Sequence, residues 1–350
     1  AFVFASACNE STSSQGTGAS TGSNDDAPSS GAADDDDPDG DGSSAAPDTS
    51  APGDASDPDP SDPSSADGLD GGDSDGDGPP PANEPNLPSI SGVCPDFFET
   101  LAFQDTHDLI FAPDGRTPRS VRLFMDANAM RLDGPLVFYW HGTGGETNEA
   151  FAAFGEPAID MIRAAGGIVA APTPDPASGT FPWQPVGGNL DHDNILADEI
   201  LACAIDQVGV DVHRIHSAGF SAGGMHTAAM SVRRAAYLAS VISFSGGEFG
   251  PVLALDTDPD NLFAGMVVHG GPTDVYGGGV SFQEPSEHYA ELLQMSGRFA
   301  LLCDHGQGHH LPNAPASAMQ FLMDHPWGAS PSPYENGLPG VFPDGYCVIP

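Results

Sequence analysis

The 350-residue chain contains no lysine, and its nine basic residues, all arginine, stand against 50 acidic residues. The first 88 residues have no basic side chain and carry 20 of the acidic ones, so 30 acidic residues accompany the nine arginines in the remainder. A protein that binds nucleic acid needs a basic surface to meet the phosphates. The charge balance therefore argues against nucleic acid as a partner.

Long apolar runs and paired cysteine motifs are also missing. No stretch approaches the ~18 apolar residues that a membrane-spanning helix needs. None of the five cysteines has C-x-x-C spacing, which argues against a zinc site or thioredoxin-like chemistry. We therefore predict that the protein has no metal site.

Four of the cysteines lie in the apolar-rich part of the chain: Cys94, Cys203, Cys303 and Cys347. Four cysteines in an exported domain indicate two disulfides, for which three connectivities are possible. We favour Cys94–Cys347, which would clamp the two ends of the domain, together with Cys203–Cys303.

The fifth cysteine, Cys8, follows a short apolar stretch and the small residues Ala5, Ser6 and Ala7. This pattern resembles a bacterial lipobox, although Ala5 stands where a leucine is usual. We predict that residues 1–8 are a signal-peptide remnant ending in a lipidated Cys8, with a plain secretory cleavage site as the alternative. The protein would then be exported, either as an outer-membrane or cell-surface lipoprotein held by its lipid alone, or in secreted form. Nothing in the sequence indicates an oligomeric state.

Residues 9–90 consist mainly of Asp, Gly, Ser and Pro and contain very few apolar side chains. Such a segment cannot bury enough apolar surface to offset the loss of chain entropy, so we predict a disordered acidic linker. The residues from Asp73 to Glu84 match the spacing of a calcium loop. Three prolines, at 79–81, fill the middle of that match and no helical pattern flanks it, which favours a chance match.

Residues 91–350 alternate short apolar runs with helical patterns. The predicted strands are 120–125, 135–140, 167–172, 214–217, 240–245, 265–269 and 298–303, and the predicted helices are 151–165, 191–208, 222–234, 284–295 and 314–325. This alternation predicts a doubly wound, mostly parallel α/β sheet with helices on both faces. In such sheets the functional residues collect at the carboxyl ends of the strands.

A candidate nucleophile lies at one of these strand ends, in Gly219-Phe220-Ser221-Ala222-Gly223. This G-x-S-x-G pattern follows a predicted strand and precedes a predicted helix. A sharp turn there would expose the Ser221 hydroxyl, and the glycines would make room for the turn. The alternative is an ordinary glycine-rich turn.

A serine nucleophile needs a base and a carboxylate that orients the base. His309 follows the last predicted strand on a glycine-rich loop, and it is our candidate base, with His310 as its rival. Asp274, just past a strand and between the serine and the histidine in chain order, is our candidate carboxylate, with Asp304 as the alternative. His269 at a strand end is more typical of a structural hydrogen-bonding residue.

The oxyanion formed during acyl transfer needs two backbone N–H donors. Ala222, directly after the candidate nucleophile, would supply one. The loop His141-Gly142-Thr143-Gly144-Gly145 follows a predicted buried strand, and we expect its Thr143 to supply the other.

These segments resemble one family, the α/β-hydrolase esterases of the polyhydroxybutyrate depolymerase and feruloyl or acetylxylan esterase type. The resemblance spans roughly residues 94–326, and the matching pieces are Leu136–Gly145, Asp211–Met225, Val267–Asp274 and Gly308–Pro312. It implies an α/β-hydrolase fold and a triad of Ser221, His309 and Asp274 that acts on a small or polymeric ester through an acyl-enzyme without a cofactor. In one departure, the spacing from His269 to Asp274 is one residue longer than the usual H-G-x-x-D.

Two other functions remain open from the residues alone. The same constellation on the same fold could serve a serine peptidase. A surface binding protein could also keep the fold without the chemistry.

Overall fold

The computed structural model describes residues 84–98, 106–179, 181–183, 191–249 and 261–350. The predicted signal remnant with Cys8, the linker up to residue 83 and the start of the calcium-loop match at Asp73 lie outside these residues. The last part of the predicted linker, residues 84–90, contacts the domain, since the Asn86 N–H donates to the Ala236 carbonyl at 2.8 Å.

A nine-stranded sheet forms the centre of the described part of the chain, beside a small two-stranded hairpin of β8 and β9. The strands are β1 His107–Phe111, β2 Arg119–Phe124, β3 Leu136–Trp140, β4 Ile168–Pro172, β5 Ile215–Phe220, β6 Ser240–Phe244, β7 Ala264–His269, β8 Val275–Tyr276, β9 Val280–Ser281, β10 Ala300–Asp304 and β11 Cys347–Val348. The order across the large sheet is β1-β2-β4-β3-β5-β6-β7-β10-β11.

The six central strands, from β4 to β10 in sheet order, pair in parallel, and the predicted mostly parallel sheet is therefore confirmed. The outer pairs β1–β2, β2–β4 and β10–β11 are antiparallel. The sequence interpretation missed β1 and β11. Both are edge strands, and β1 buries only alternate residues while β11 is two residues long, so neither has the continuous apolar run of a central strand.

The sheet carries an apolar core on each face. All five residues of β3 are buried, and they alternate between the two cores, with Phe138 and Trp140 on one face and Val137 and Tyr139 on the other. This follows from the period of two along a strand. A strand covered on both faces therefore has to be apolar at every position.

Helices cover both cores. They are α1 Glu149–Phe154, α2 Glu156–Ala164, α3 His192–Gln207, α4 Ala222–Arg233, α5 Gln283–Met295 and α6 Pro315–Asp324. Helices α3, α4 and α5 pack on the face of Trp140, and α1, α2 and α6 pack on the face of Tyr139. Of the helices described, none has both the length and the apolar character needed to cross a bilayer.

The single helix predicted over 151–165 is two helices. Gly155 separates α1 from α2 with a φ of 79°, a left-handed conformation that ends α1. Pro157 then lies in the first turn of α2. Backbone N–H groups in a first turn have no acceptor within the helix, so a proline there costs no hydrogen bond. The apolar spacing continues across the break because both short helices pack on the same core.

The favoured disulfide pairing is wrong. The bonded pairs are Cys94–Cys203 and Cys303–Cys347. Cys203 and Cys303 cannot meet because they belong to the cores on opposite faces of the sheet. Cys303 and Cys347 are instead direct partners in the β10–β11 ladder, and that edge strand was not predicted.

The N-terminal segment is fastened to one face of α3 through three residues spaced four apart: Glu199, Cys203 and Gln207. Glu199, which is 1% exposed, accepts hydrogen bonds from both N–H groups and the hydroxyl of Ser91-Gly92. Cys203 bonds Cys94, and Gln207 exchanges hydrogen bonds with Pro95 and Phe97. Because residues four apart share one helix face, we name this arrangement the N-terminal clasp.

Candidate active site

Ser221 lies in the turn between β5 and α4, at the carboxyl end of the parallel strands. Its φ is 55°, a left-handed conformation that is rare for residues with a Cβ. The turn is held in place because the Ser221 N–H donates to the Phe244 carbonyl at 2.8 Å and the Ser221 carbonyl accepts from the Met225 N–H at 2.9 Å. This strained turn points the hydroxyl into the pocket described below.

The glycines of the G-x-S-x-G pattern are needed for close packing. A Cβ on Gly219 would lie 2.7 Å from the Trp140 carbonyl oxygen, and a Cβ on Gly223 would overlap the same oxygen. The end of β3 therefore passes directly against the turn. Glycines at both positions let the loop after β3 come close to the Ser221 side chain.

His309 joins Ser221 to Asp274. The His309 Nδ1–H donates to Asp274 Oδ1 at 2.7 Å, and His309 Nε2 accepts from the Ser221 hydroxyl at 2.9 Å. This assignment of the ring protons follows from the chemistry, because an ionised carboxylate can only accept. The structure thus brings together the three side chains that the sequence interpretation selected.

Asp274 is fully buried at the end of the 3₁₀ turn Gly271–Thr273 that follows β7. Its Oδ2 accepts from the Gly270 N–H and from the Ser245 hydroxyl, each at 2.8 Å. Burial raises the pKa of Asp274, but the hydrogen bonds from His309, Gly270 and Ser245 outweigh it and hold the pKa below its ordinary value. The carboxylate is therefore charged at neutral pH and can stabilise an imidazolium.

Aromatic rings pack against the imidazole of His309. Phe282 stacks on it with ring centroids 4.4 Å apart, and Phe220 and Tyr276 lie at 5.0 and 5.2 Å. The backbone of the loop is also fixed, since the Gly308 N–H donates to the Gly270 carbonyl at 2.9 Å. These contacts restrict the ring orientation in which Nε2 reaches the serine.

The rival residues lie elsewhere. His310 is exposed at the pocket rim, and Asp304 is half exposed, with its carboxylate accepting from the Gly306 N–H at 2.8 Å. His269 is buried, and its Nδ1 accepts from the Gly271 N–H at 3.1 Å. His269 therefore supports the turn that leads to Asp274.

The loop 141–145 borders the pocket beside Ser221, and both Gly142 and Thr143 line it. The Gly142 N–H is already bonded to Glu149 Oε1 at 2.9 Å, and the Tyr139 hydroxyl donates to the same oxygen at 3.0 Å. Burial raises the pKa of Glu149, although these two bonds lower it in part. Glu149 thus fixes the conformation of the loop.

The pocket has a volume of about 530 Å³, and its lining includes Ser221, His309 and Thr143. Val275 and Tyr276 of the β8–β9 hairpin form part of its wall and are 42% and 49% exposed. The pocket therefore places the Ser221 hydroxyl near two half-exposed apolar side chains.

The sequence interpretation missed several residues that shape the site: Glu149, Ser245, Tyr276 and Phe282. Ser245 directly follows β6, a position that many polar residues share, and Glu149 is the first residue of α1. Only the contacts with Gly142 and Asp274 distinguish these two from the rest.

One group of three potential metal ligands lies close together in the part of the chain that the structure describes: Cys94, Glu199 and Cys203. The two sulfurs are joined as a disulfide, and Glu199 is bonded to Ser91 and Gly92. These atoms are therefore committed to the N-terminal clasp.

Comparison with known proteins shows likeness in structure only. No protein-family model matches the chain, and no curated protein matches it. A thermostable esterase is 20% identical with a TM-score of 0.52, over 63% of this chain and 63% of its own. The chain thus spans less than two thirds of that esterase.

Two further crystal structures match over nearly their whole length. The protein named sOPH is 17% identical with a TM-score of 0.55, over 73% of this chain and 96% of its own. The protein named pOPH is 16% identical with a TM-score of 0.53, over 73% of this chain and 97% of its own. Together with the sheet order and the turn at Ser221, these likenesses identify the fold of the chain as that of the α/β-hydrolases.

Proposed function

We propose that this protein is a serine hydrolase that cleaves carboxylic esters through an acyl-enzyme. The observation that carries the proposal is the pair of hydrogen bonds, 2.9 and 2.7 Å long, from Ser221 through His309 to Asp274. A serine hydroxyl becomes a nucleophile when a neighbouring base can take its proton, and an orienting carboxylate keeps that base in the right tautomer.

In the proposed reaction, His309 Nε2 takes the proton of Ser221 while the serine oxygen attacks the ester carbonyl carbon. Asp274 stabilises the imidazolium, which then gives the proton to the leaving alkoxide. Water attacks the acyl-enzyme in the second half of the reaction and gives its proton to the same Nε2. That proton returns to the serine oxygen as the acid leaves.

The tetrahedral oxyanion would be held by backbone N–H groups of Ala222 and Thr143. The contact with Glu149 supports this assignment, because it occupies the Gly142 N–H at 2.9 Å. Thr143 is the next residue of the loop, and it lines the pocket with Ser221.

For the substrate, we propose an uncharged ester, either a polyhydroxyalkanoate-type polyester or a feruloyl or acetyl ester of a glycan. The acidic residues outnumber the arginines by 41 in the whole chain, so an anionic ester would meet repulsion. The half-exposed Val275 and Tyr276 offer apolar contacts to the acyl or alcohol part. Names of the structural relatives include an esterase, which agrees with ester chemistry.

We also propose export of the protein. Disulfides persist in oxidising compartments, and two are present in the domain. Attachment of a lipid at Cys8 stays a prediction from the sequence, and mass spectrometry of the membrane fraction would test it.

The test of function is an ester panel with the full chain. It comprises p-nitrophenyl acyl esters, polyhydroxybutyrate, methyl ferulate, acetylated xylan and peptide anilides, run beside Ser221→Ala. We expect turnover of the acyl esters and labelling of Ser221 by a fluorophosphonate, both abolished in Ser221→Ala. Turnover that survives in this variant would overturn the proposal, and cleavage of peptides alone would make the protein a peptidase. A folded protein that neither turns over esters nor takes the label would be a binder.

A further inference from the structure

Among the described residues, two that are not glycine have a left-handed backbone: Ser221, with a φ of 55°, and Ser245, with a φ of 43°. Ser245 directly follows β6, whose last residue, Phe244, accepts the Ser221 N–H. A residue with a Cβ is strained in this conformation. Glycines follow at 246 and 247, yet the strained position itself carries a serine. This placement indicates a use for the hydroxyl.

The hydroxyl of Ser245 meets the carboxylate of Asp274. It donates to Oδ2 at 2.8 Å, and the Gly270 N–H donates to the same oxygen, while Oδ1 is left to His309. The backbone of Ser245 is held by its N–H, which donates to the Val268 carbonyl at 2.7 Å, and the residue is 1% exposed. Two donors on one oxygen determine the rotation of the carboxylate plane.

We propose that Ser245 is a positioning residue that holds the Asp274 carboxylate so that Oδ1 faces His309 Nδ1. The inference rests on the proposed role of Ser221, His309 and Asp274 as a triad. Ser245 is buried and is not part of the lining described for the pocket. It acts on the reaction only through the orientation and charge of Asp274.

The chemistry predicts a signature in the pH profile. Without the Ser245 hydroxyl, the buried Oδ2 keeps one donor, and since Asp274 is 0% exposed, the lost bond has no ready replacement from solvent. The carboxylate then becomes more basic and attracts the imidazolium proton more strongly. The acid limb of kcat/KM should therefore move to higher pH.

Other titratable groups near Asp274 must be counted in that profile. His309 is in direct contact, and His305 lies on the same loop, where burial lowers its pKa and the charge of Asp274 raises it. The further charges that act on His305 come from His269, Asp304 and His310. The profile is therefore interpreted only as a difference between variants that leave all these groups in place.

The test compares Ser245→Ala and Ser245→Gly with Ser240→Ala as the matched control. Both Ser245 variants lack the hydroxyl, but only glycine relieves the strained backbone. Ser240 lies in β6, is also buried, and bonds an imidazole, His216 Nδ1, at 2.9 Å at the other end of the strand. We expect kcat to fall about 10- to 100-fold in both Ser245 variants, with KM within about twofold and the acid limb shifted upward. Ser240→Ala should leave kcat, KM and the acid limb unchanged.

A readout independent of turnover completes the test. The downfield proton resonance of His309 Nδ1–H, assigned by its loss in His309→Gln, should shift in both Ser245 variants and stay in place in Ser240→Ala. Full activity and an unshifted resonance in Ser245→Gly would overturn the inference, because the hydroxyl would then be dispensable. If the wild type lacks ester turnover but the resonance still shifts, the positioning role stands while the proposed function fails.

Discussion

Two buried carboxylates in this protein have similar surroundings, but one belongs to the candidate active site and the other to the N-terminal clasp. Asp274 and Glu199 are 0% and 1% exposed, and both oxygens of each accept hydrogen bonds from groups remote in sequence. The partners of Glu199 are N–H groups and a hydroxyl that hold the N-terminal segment. One partner of Asp274 is an imidazole, whose other nitrogen reaches a serine in an open pocket.

Burial and hydrogen bonding therefore do not by themselves make a carboxylate functional. A buried carboxylate can take part in catalysis when its partner is a titratable group that exchanges a proton with a side chain in a pocket. Variants in the site should therefore change turnover and leave unfolding almost unaltered. Variants in the N-terminal clasp should do the opposite.

The largest expected effect comes from removing the base. His309→Ala should lower kcat by about 10⁶-fold, as loss of the histidine does in subtilisin, because among the described residues the Ser221 hydroxyl donates to His309 alone. His310→Ala is the control, since that side chain is exposed and bonds neither Ser221 nor Asp274. Its kcat should stay within about threefold of wild type. Stopped assays with a p-nitrophenyl ester measure both, and equal mild losses would mean that neither residue is the base.

The second-largest loss of turnover is expected at the orienting carboxylate. Asp274→Asn should lower kcat by about 10⁴-fold, because an amide stabilises the wrong imidazole tautomer. The matched change in the N-terminal clasp, Glu199→Gln, should leave kcat unaltered and lower the free energy of unfolding by about 1–3 kcal/mol. Kinetics and urea unfolding of the two variants measure the contrast. A loss of turnover in Glu199→Gln would break the distinction between the regions.

The clasp disulfide should matter for stability alone. The double variant Cys94→Ser, Cys203→Ser should lower the free energy of unfolding by about 2–5 kcal/mol, because this bond restricts the unfolded chain. The bond closes a separation of 109 residues, against 44 for Cys303–Cys347, so the matching double variant at the latter should lose less. Urea unfolding gives both values. If kcat per folded molecule falls in either variant, that disulfide also shapes the site.

A final effect, on stability alone, concerns two buried histidines outside both regions. Burial lowers the pKa of His226 to about 4 and that of His216 to about 3, from an ordinary 6.5. Between pH 6.5 and these two pKa values, the two histidines bind protons in the unfolded chain but not in the folded chain. Stability is therefore complete above pH 6.5 and falls as the pH drops, by about 1.4 kcal/mol per pH unit for each histidine.

Urea unfolding at pH 7.5, 6 and 5 measures this slope. The ring of His226 packs against Trp140 at a centroid distance of 4.3 Å, and both of its nitrogens are buried without a hydrogen bond. His226→Phe should therefore keep the packing. It should also lower the slope of the unfolding free energy against pH by about 1.4 kcal/mol per pH unit, the contribution of one proton. An unchanged slope in this variant would contradict the assignment.

Much of the fold could be predicted because its signals are local. The apolar runs of β3 and β4 fall where the structure has those strands, since a strand buried on both faces needs apolar residues at every position. The break at Gly155 was missed because the apolar spacing crosses it. Strand β11 was missed because its two residues carry no pattern of their own.

The candidate site likewise contains residues that a local sequence pattern predicts and residues that it does not. The turn at Ser221 has a local signal, because a strand, a tight glycine turn and a helix follow one another in the chain. The choice between His309 and His310 has none, since neighbours on one loop differ only in which ring faces the serine. The hydrogen bond from His309 to Asp274 makes that distinction in space.

Local patterns in the chain establish the alternation of strands and helices and the strand-turn-helix segment around Ser221. Each of these depends on side chains that are close in the chain. Tertiary contacts alone establish the disulfide pairs, the bond of Glu149 to the loop 141–145 and the contact of Ser245 with Asp274. Those contacts join segments that are distant in sequence, and the order of strands and the two faces of the sheet bring them together.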